Sequence, residues 1–150
     1  MNWAEILSII VVIVLYIITY RTIDKKTVAR ENNKRDISDL LIKKSYQECL
    51  GYMDYLCPAL VQKYILPKCD FNSTAPNIVI SNIQSSPFIN EDIVIELIKD
   101  GQITKTKLEK YFTIKEKYIK YVTMRITFFD APELYEPLRD ELKMLINNEL

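Results

Sequence analysis

Two groups of acidic side chains come nearest, in type and spacing, to an active site. Paired carboxylates can hold Mg²⁺ or transfer protons. Acids in the first turn of a helix are, however, what the helix dipole alone favours. We therefore assign both groups to helix capping and solvation, and we keep a metal-dependent enzyme only as the least favoured alternative. The first group is Glu91, Asp92 and Glu96, and the second is Glu133, Glu136, Asp140 and Glu141 beside Arg139.

Histidine is absent from the sequence, which removes the commonest general base and every histidine-containing triad or metal site. The three cysteines, Cys49, Cys57 and Cys69, are odd in number and form no C-x-x-C pair, so zinc and a complete disulfide set are both excluded. We expect them to be reduced, buried thiols. No nucleotide-binding or hydrolase motif occurs. The sequence predicts a protein that is not an enzyme, with no catalytic, cofactor-binding or metal-binding residues.

Tyrosine is the remaining residue type with a binding role. At helical spacing it usually packs at the edge of a core with its hydroxyl reaching water, and it is also enriched at protein interfaces. We favour core packing and keep a partner surface as the alternative. That surface would comprise Tyr46, Tyr52 and Tyr55 on one predicted helix and Tyr118 and Tyr121 on another.

The element that opens the chain is an apolar run. Ile6 to Tyr20 carries no charge, and a helix from Asn2 to Tyr20 would be about 28 Å long, close to the roughly 30 Å of a bilayer core. Trp3 lies at one end, and Tyr16 and Tyr20 lie at the other, where aromatic rings favour the membrane interface. We predict that residues 1–20 are a transmembrane anchor.

A cleaved signal peptide and a soluble core helix are the alternatives for this run. The residues before it include Glu5 and no Lys or Arg, and Tyr20-Arg21-Thr22 offers no small-residue cleavage site. A soluble helix that is apolar on every face needs complete burial, which a chain of this size hardly provides for its first helix. An uncleaved anchor is therefore favoured.

Positive charges follow the run directly, at Arg21, Lys25, Lys26 and Arg30. Because Lys and Arg stay on the cytoplasmic side, the N-terminus should lie outside and residues 21–150 in the cytoplasm, at the cell inner (plasma) membrane.

The whole chain has 20 basic and 20 acidic residues, which argues against nucleic acid as a partner. Many Ile, Lys and Asn with two glycines are typical of an AT-rich bacterial or phage genome.

The rest of the chain reads as helical. Residues 21–36 form a polar stretch without Pro or Gly, predicted as a helical juxtamembrane stalk, and residues 37–150 form the helical domain. The first apolar stripe of that domain recurs every three or four residues, and Pro58 predicts a break after it. Its members are Ile37, Leu41, Ser45, Cys49, Tyr52 and Leu56. The predicted fold is all-α: one transmembrane helix followed by a small cytoplasmic bundle.

Several local boundaries follow from caps and breakers. We predict a short helix over 58–66 that ends at Pro67, and then an irregular connection over 68–90 with a possible short strand at 78–80. Asn90 is the predicted N-cap of a helix that stops at Gly101, and Thr113 to Glu116 has the form of a capping box. Residues 118–129 are rich in β-branched and aromatic residues, but their period favours helix over strand. A final helix follows Pro132.

These features favour a single-pass membrane protein whose cytoplasmic helical domain binds another protein or itself, in an accessory or regulatory role. A phage, host-defence or membrane-complex context is compatible with it. The expected partners are the lipid bilayer and a protein, with no cofactor. The alternative is a toxin-like or holin-like effector that disrupts membranes. Against it, the anchor lacks a stripe of small residues and has no polar side chain beyond Ser8 and Thr19.

Overall fold

The structure, a computed structural model, describes residues 3–69 and 77–150, and the side chains of residues 4–10 lie outside that description. Every regular element in these ranges is helical, which confirms the predicted all-α class. The α-helices are α1 (Trp3–Tyr55), α2 (Pro58–Leu60), α3 (Ile78–Ser85), α4 (Glu91–Lys99), α5 (Lys105–Thr127) and α6 (Pro132–Asn147). A π-helical turn covers Val61–Ile65, and 3₁₀ turns cover Leu66–Lys68 and Ser86–Phe88.

The chain divides into two compact units, Met1–Ile37 and Ser38–Leu150. In the first unit, every side chain from Val11 to Tyr20 is exposed. Among the residues that the structure describes, no helix combines the length and the apolar content that a membrane crossing requires. Part of the predicted anchor, Ile6 included, lies outside the described side chains. The division of residues 1–36 into an anchor and a stalk stays a prediction.

The second unit begins with the C-terminal part of α1. The predicted helical period is confirmed there, since Ser45, Cys49 and Leu56 are buried. The stripe begins later than predicted, because Ile37 is 52% exposed and Ile42 lies in the core instead. α1 ends at Tyr55, and Pro58 occupies the first turn of α2, where its missing N–H breaks no helical hydrogen bond.

The predicted irregular connection is wrong in its second half, which forms α3; residues 70–76 of the same segment lie outside the described residues. Asn77 starts this helix, because its Oδ1 accepts hydrogen bonds from the backbone N–H groups of Val79 (3.1 Å) and Ile80 (3.5 Å). Ile83 is buried against the bundle, whereas Ile78 is 74% exposed.

The two capping predictions before and within α5 are also corrected. α4 begins after Asn90 as expected, but the Asn90 side chain makes no capping hydrogen bond. Gly101 does end the helix, with a φ of 70° that favours glycine. A capping box at Thr113 would start a new helix there, but α5 is continuous through this position, and the Thr113 hydroxyl donates to the Glu109 carbonyl (2.8 Å). The stretch 118–127 is helix, as its period predicted.

Helix α5 is the centre of the bundle. Its buried face packs against buried residues of α1 and α6, among them Leu142 and Ile146. Phe88, from the turn before α4, meets the rings of Tyr111 and Tyr118 edge-on, at centroid distances of 5.6 and 5.8 Å. Burial of each large side chain of this kind stabilises the fold by about 1.5–3 kcal/mol before entropy is subtracted.

Lysine–carboxylate pairs join the helices at the surface of the bundle. All of them except the part-buried Lys115–Glu91 pair are largely exposed, so those exposed pairs each contribute little to stability. They are Lys107 with Asp39 (2.6 Å), Lys143 with Asp54 (3.0 Å), Lys117 with Glu141 (2.9 Å) and Lys115 with Glu91.

Candidate functional site: the Arg125 cavity

Arg125 is a cation in the core of the bundle, with 2% of its surface exposed. It follows Tyr118 by seven residues and Tyr121 by four, so the helical repeat places it on the buried face of α5. Arginine is almost never fully buried without a partner. Its contacts therefore decide what this position can do.

One edge of the Arg125 guanidinium is fixed by the fold. Nε donates to the backbone carbonyl of Leu56, just beyond the end of α1, at 2.9 Å. The guanidinium carbon lies 4.6 Å from the centre of the Tyr135 ring, a cation–π arrangement. Nη1 and Nη2, by contrast, have no hydrogen-bond partner among the described residues. Two donor nitrogens of a buried charge are thus enclosed by the fold without a hydrogen-bond partner in the described part of the chain, which is energetically costly.

A cavity of about 180 Å³ lies at this guanidinium. Its lining combines an apolar wall, two tyrosine rings and a charged rim. The apolar wall is Met53, Leu56 and Pro58, the rings are Tyr121 and Tyr135, and Asp54, Cys57, Glu136, Arg139 and Lys143 complete the lining with Arg125. A small ligand with one charged end and an apolar body matches such a lining.

Lys143 and Arg139 have carboxylate partners at the cavity, whereas Arg125 nitrogens Nη1 and Nη2 have no hydrogen-bond partner among the described residues. Lys143 pairs with Asp54 at 3.0 Å, and Arg139 pairs with Asp140 at 3.2 Å and Glu136 at 3.7 Å. The lining holds three cations and two carboxylates, and Asp140, which pairs with Arg139 from outside the lining, balances the third cation. Burial raises the pKa of Tyr121 to about 12, although Arg125 and Arg139 oppose that shift. The Tyr121 phenol therefore stays neutral at physiological pH.

A larger groove of about 470 Å³ lies between α5 and α6, lined by Thr106, Glu109, Lys110, Thr113, Ile114, Leu145, Asn148 and Glu149. Its size alone does not make it the better site. Lys110 already pairs with Glu149 at 2.5 Å, and both side chains are partly exposed. The smaller cavity is the stronger candidate because it contains a desolvated charge with unused donors.

The tyrosines proposed as a partner surface are mostly core residues. Tyr46, Tyr118 and Tyr121 are at most 2% exposed, so the core alternative holds for these three and the surface alternative is corrected. The fold also uses the Tyr118 hydroxyl, which donates to the Ile83 carbonyl at 3.0 Å. Tyr52 is half-buried with its hydroxyl 2.8 Å from that of Ser86, and Tyr55 is 44% exposed.

The acidic groups and cysteines are dispersed in the fold. Glu91 pairs with Lys115 and Glu141 with Lys117, as expected for solvated helix faces. In the part of the chain that the structure describes, no three potential metal ligands lie together. Cys49 is buried, while Cys57 and Cys69 are half-buried. Cys57 alone of these lines the Arg125 cavity.

Arg125 was not among the predicted site residues; it lies within residues 118–129, which are rich in aromatic and β-branched side chains. Its spacing was the signal that could have identified it. Arg125 follows Tyr118, Tyr121 and Val122 by seven, four and three residues, so it shares the helix face of these buried residues.

No family model, curated protein or solved structure matches the chain. Its function is therefore inferred from its own exposed and buried side chains.

Proposed function

We propose that this chain is a single-pass membrane protein whose helical domain, residues 37–150, binds another protein and catalyses no reaction of its own. The observation that carries the proposal is the exposure of the apolar run. Val12 and Leu15 are 65% and 57% exposed, and the intervening Ile13 and Val14 are 52% and 47% exposed. With 3.6 residues per turn, these four positions already encircle the helix.

A helix in water needs a polar face, and residues 11–18 provide none. An apolar surface that surrounds the helix is stable only when lipid or another apolar surface covers it. The exposed rings of Trp3, Tyr16 and Tyr20 favour lipid, because such rings settle at the interface between hydrocarbon and headgroups. This supports an anchor that includes residues 11–20.

The exposed cations after the run support one orientation. Arg21, Lys25, Lys26 and Arg30 all lie on the surface of α1. Positive residues beside a membrane helix are retained in the cytoplasm, so the helical domain is proposed to face the cytoplasm from the plasma membrane with the N-terminus outside.

Exposed apolar side chains of the second unit support partner binding. Single exposed apolar residues are common on any protein. Ile78 and Ile89 stand out because they are 74% and 80% exposed, and Ile93 nearby is 46% exposed. We propose the surface around Ile89 as the contact with a protein partner or a second copy of the chain.

Membrane attachment is tested with a charge in the middle of the run. Ile13→Arg places a charge where a bilayer centre would be, at a cost of about 2.5–3.5 kcal/mol for insertion. Val28→Arg is the matched control, because Val28 is equally apolar, is 50% exposed and lies outside the run. The protein should resist alkaline carbonate extraction from membranes, as should Val28→Arg, whereas Ile13→Arg should be extracted. Equal extraction of both variants would reject the anchor.

Partner binding is tested by site-specific photocrosslinking in cells. A photoreactive residue at Ile89 should give a discrete adduct with a protein, and one at the exposed Lys99 of α4 should not. The absence of an adduct at Ile89 above the Lys99 background would reject this surface. Prompt leakage of a small dye on expression, abolished by Ile13→Arg, would instead favour the membrane-disrupting alternative.

A further inference from the structure

We propose that Lys25, Lys26 and Arg30 of α1 form a basic face that binds the phosphate groups of anionic lipids at the membrane surface. This inference rests on the proposed anchor, which brings these three side chains beside a bilayer. The partner is a lipid surface that contains phosphatidylglycerol or another lipid with a net negative headgroup. The anchor itself requires no such lipid, so the preference for a charged headgroup is a separate property of the chain.

The cations of the basic face have no acidic partner of their own. Lys25, Lys26 and Arg30 are all exposed, and none of them forms an ion pair with another residue in the part of the chain that the structure describes. The surface of the bundle is different, since Lys107, for example, pairs with Asp39 at 2.6 Å. The charges of the basic face therefore remain available to an external anion.

Spacing along the helix explains why these cations are unpaired. Side chains on a helix meet at intervals of three or four residues. None of the positions at these intervals from Lys25, Lys26 or Arg30 holds an acid. Lys26 and Arg30 are themselves four residues apart, so two like charges face each other, which is unfavourable. An anionic surface would offset that repulsion.

The acids of the same segment lie on another side of the helix. Asp24 and Glu31 are seven residues apart, so they share one face of α1. At about 100° of rotation per residue, that face is about 100° or more away from each of the three cations. The basic face is therefore separated from the acids, and it suits a partner that presents many negative charges side by side.

The distances along the helix agree with the depth of the headgroup layer. At about 1.5 Å per residue, Lys25 and Lys26 lie about 8 and 9 Å beyond Tyr20, and Arg30 lies about 15 Å beyond it. Tyr20 is the ring proposed to mark the edge of the hydrocarbon. Headgroups extend about 5–8 Å past that edge, and their field reaches about 8 Å further at physiological salt. All three cations lie within this range.

The first test compares two lipid probes on the full-length protein, reconstituted into phosphatidylcholine vesicles. The probes are phosphatidylglycerol and phosphatidylcholine, each spin-labelled on an acyl chain, and electron paramagnetic resonance measures the fraction of each that the protein immobilises. Phosphatidylglycerol should be preferred about fivefold at low salt, the factor expected when each bound lipid meets one cation. The preference should disappear at about 1 M salt, where charges are screened within about 3 Å. A preference that survives high salt would overturn the proposal.

The second test removes the charges of the basic face. The triple variant Lys25→Gln, Lys26→Gln and Arg30→Gln should lower the preference for phosphatidylglycerol to less than about twofold. The matched control removes the same charge from three exposed lysines of the second unit and should keep the preference; it combines Lys63→Gln, Lys68→Gln and Lys99→Gln. An equal loss in both variants would assign the effect to net charge and reject the basic face.

The same measurement separates failure of this inference from failure of the anchor. If the protein immobilises both probes equally at low salt, it is in the bilayer but has no preference for anionic lipid, and only the basic face is rejected. If it immobilises neither probe at any salt concentration, the chain does not contact the hydrocarbon, and the anchor and the basic face are both rejected.

Discussion

At the residue scale, buried tyrosine hydroxyls show which polar groups the fold satisfies. The Tyr118 hydroxyl donates to the Ile83 carbonyl at 3.0 Å, and this bond is buried. The Tyr111 hydroxyl is buried and makes no hydrogen bond of normal geometry among the described residues, although its contact with the Ser45 side chain opposes the rise in its pKa. Nearby, the Ser45 hydroxyl donates to its own helix at Leu41 O (3.2 Å). The two rings are equally buried, so they differ mainly in this bond.

This difference predicts unequal effects of removing the two hydroxyls. Tyr118→Phe should lower the free energy of unfolding by about 1–2 kcal/mol, because the buried Ile83 carbonyl is then left without its donor. Tyr111→Phe should change it by less than about 0.5 kcal/mol, because only a weak contact with Ser45 is lost and the Ser45 hydroxyl keeps its bond to the Leu41 carbonyl. Urea denaturation of both variants measures the difference, and equal losses would contradict it.

The same residues predict how stability depends on pH. Burial is the first cause that raises the pKa of Tyr46, Tyr111, Tyr118 and Tyr121 above the ordinary value of 10, to about 12 for Tyr111 and Tyr121. Between pH 10 and these raised values, the unfolded chain has lost phenolic protons that the folded chain keeps. Stability is then lost as pH rises, because the folded state binds more protons.

The expected result is a free energy of unfolding that falls steeply between pH 10 and 12. Urea denaturation across this range, with tyrosinate absorbance recorded in parallel, measures it. Tyr118→Phe should lose less stability over the same range, since one of the raised groups is gone. A curve that falls equally for the variant would show that other groups control alkaline unfolding.

At the element scale, α3 and α4 both begin after an asparagine, but only one of the two asparagine side chains caps its helix. Asn77 accepts two backbone N–H groups at the start of α3, and Asn90 accepts none at the start of α4. Asn77→Ala should therefore reduce the free energy of unfolding by about 1 kcal/mol. Asn90→Ala should reduce it by less than about 0.5 kcal/mol. Losses of the opposite order in thermal or urea unfolding would mean that the two caps are assigned the wrong way round.

These elements also show how far the sequence determines the fold. The helical spacing of apolar residues in α1 and α5 was predictable from the sequence, and so was the break at Pro58. Both depend on local features: the interval between apolar side chains, and the backbone N–H that proline lacks. α3 was not, because Ile78, Val79 and Ile80 have strand propensity, and the cap at Asn77 and the burial of Ile83 override it. The Arg125 cavity was not predictable either, because it depends on contacts between residues far apart in the sequence. The Leu56 carbonyl after α1 and the Tyr135 ring of α6 both contact the Arg125 side chain of α5.

At the scale of the whole molecule, the hydrophobic core belongs to the second unit. The buried apolar residues that form it begin at Ile42 and continue to Ile146. A chain shortened to start at Asp36 should therefore stay helical by circular dichroism, and its free energy of unfolding in urea should match that of the full-length protein within about 0.5 kcal/mol. A disordered or strand-rich spectrum for the shortened chain would show that residues 1–35 are required for folding.

The proposed anchor and the positive residues beside it together predict a topology for the full-length protein. With the N-terminus outside, Asn2→Cys should react with a membrane-impermeant maleimide in intact cells, whereas Thr22→Cys should react only after the cells are lysed. The half-buried native cysteines at 57 and 69 follow the run and should likewise react only after lysis, whereas the buried Cys49 should not react, so the unsubstituted protein is an internal control. The physical reason is that Arg21 and Lys25 resist transfer across the bilayer far more than the single acid, Glu5, on the other side. Labelling of Thr22→Cys but not of Asn2→Cys in intact cells would reverse the topology and place the Arg125 cavity outside the cytoplasm.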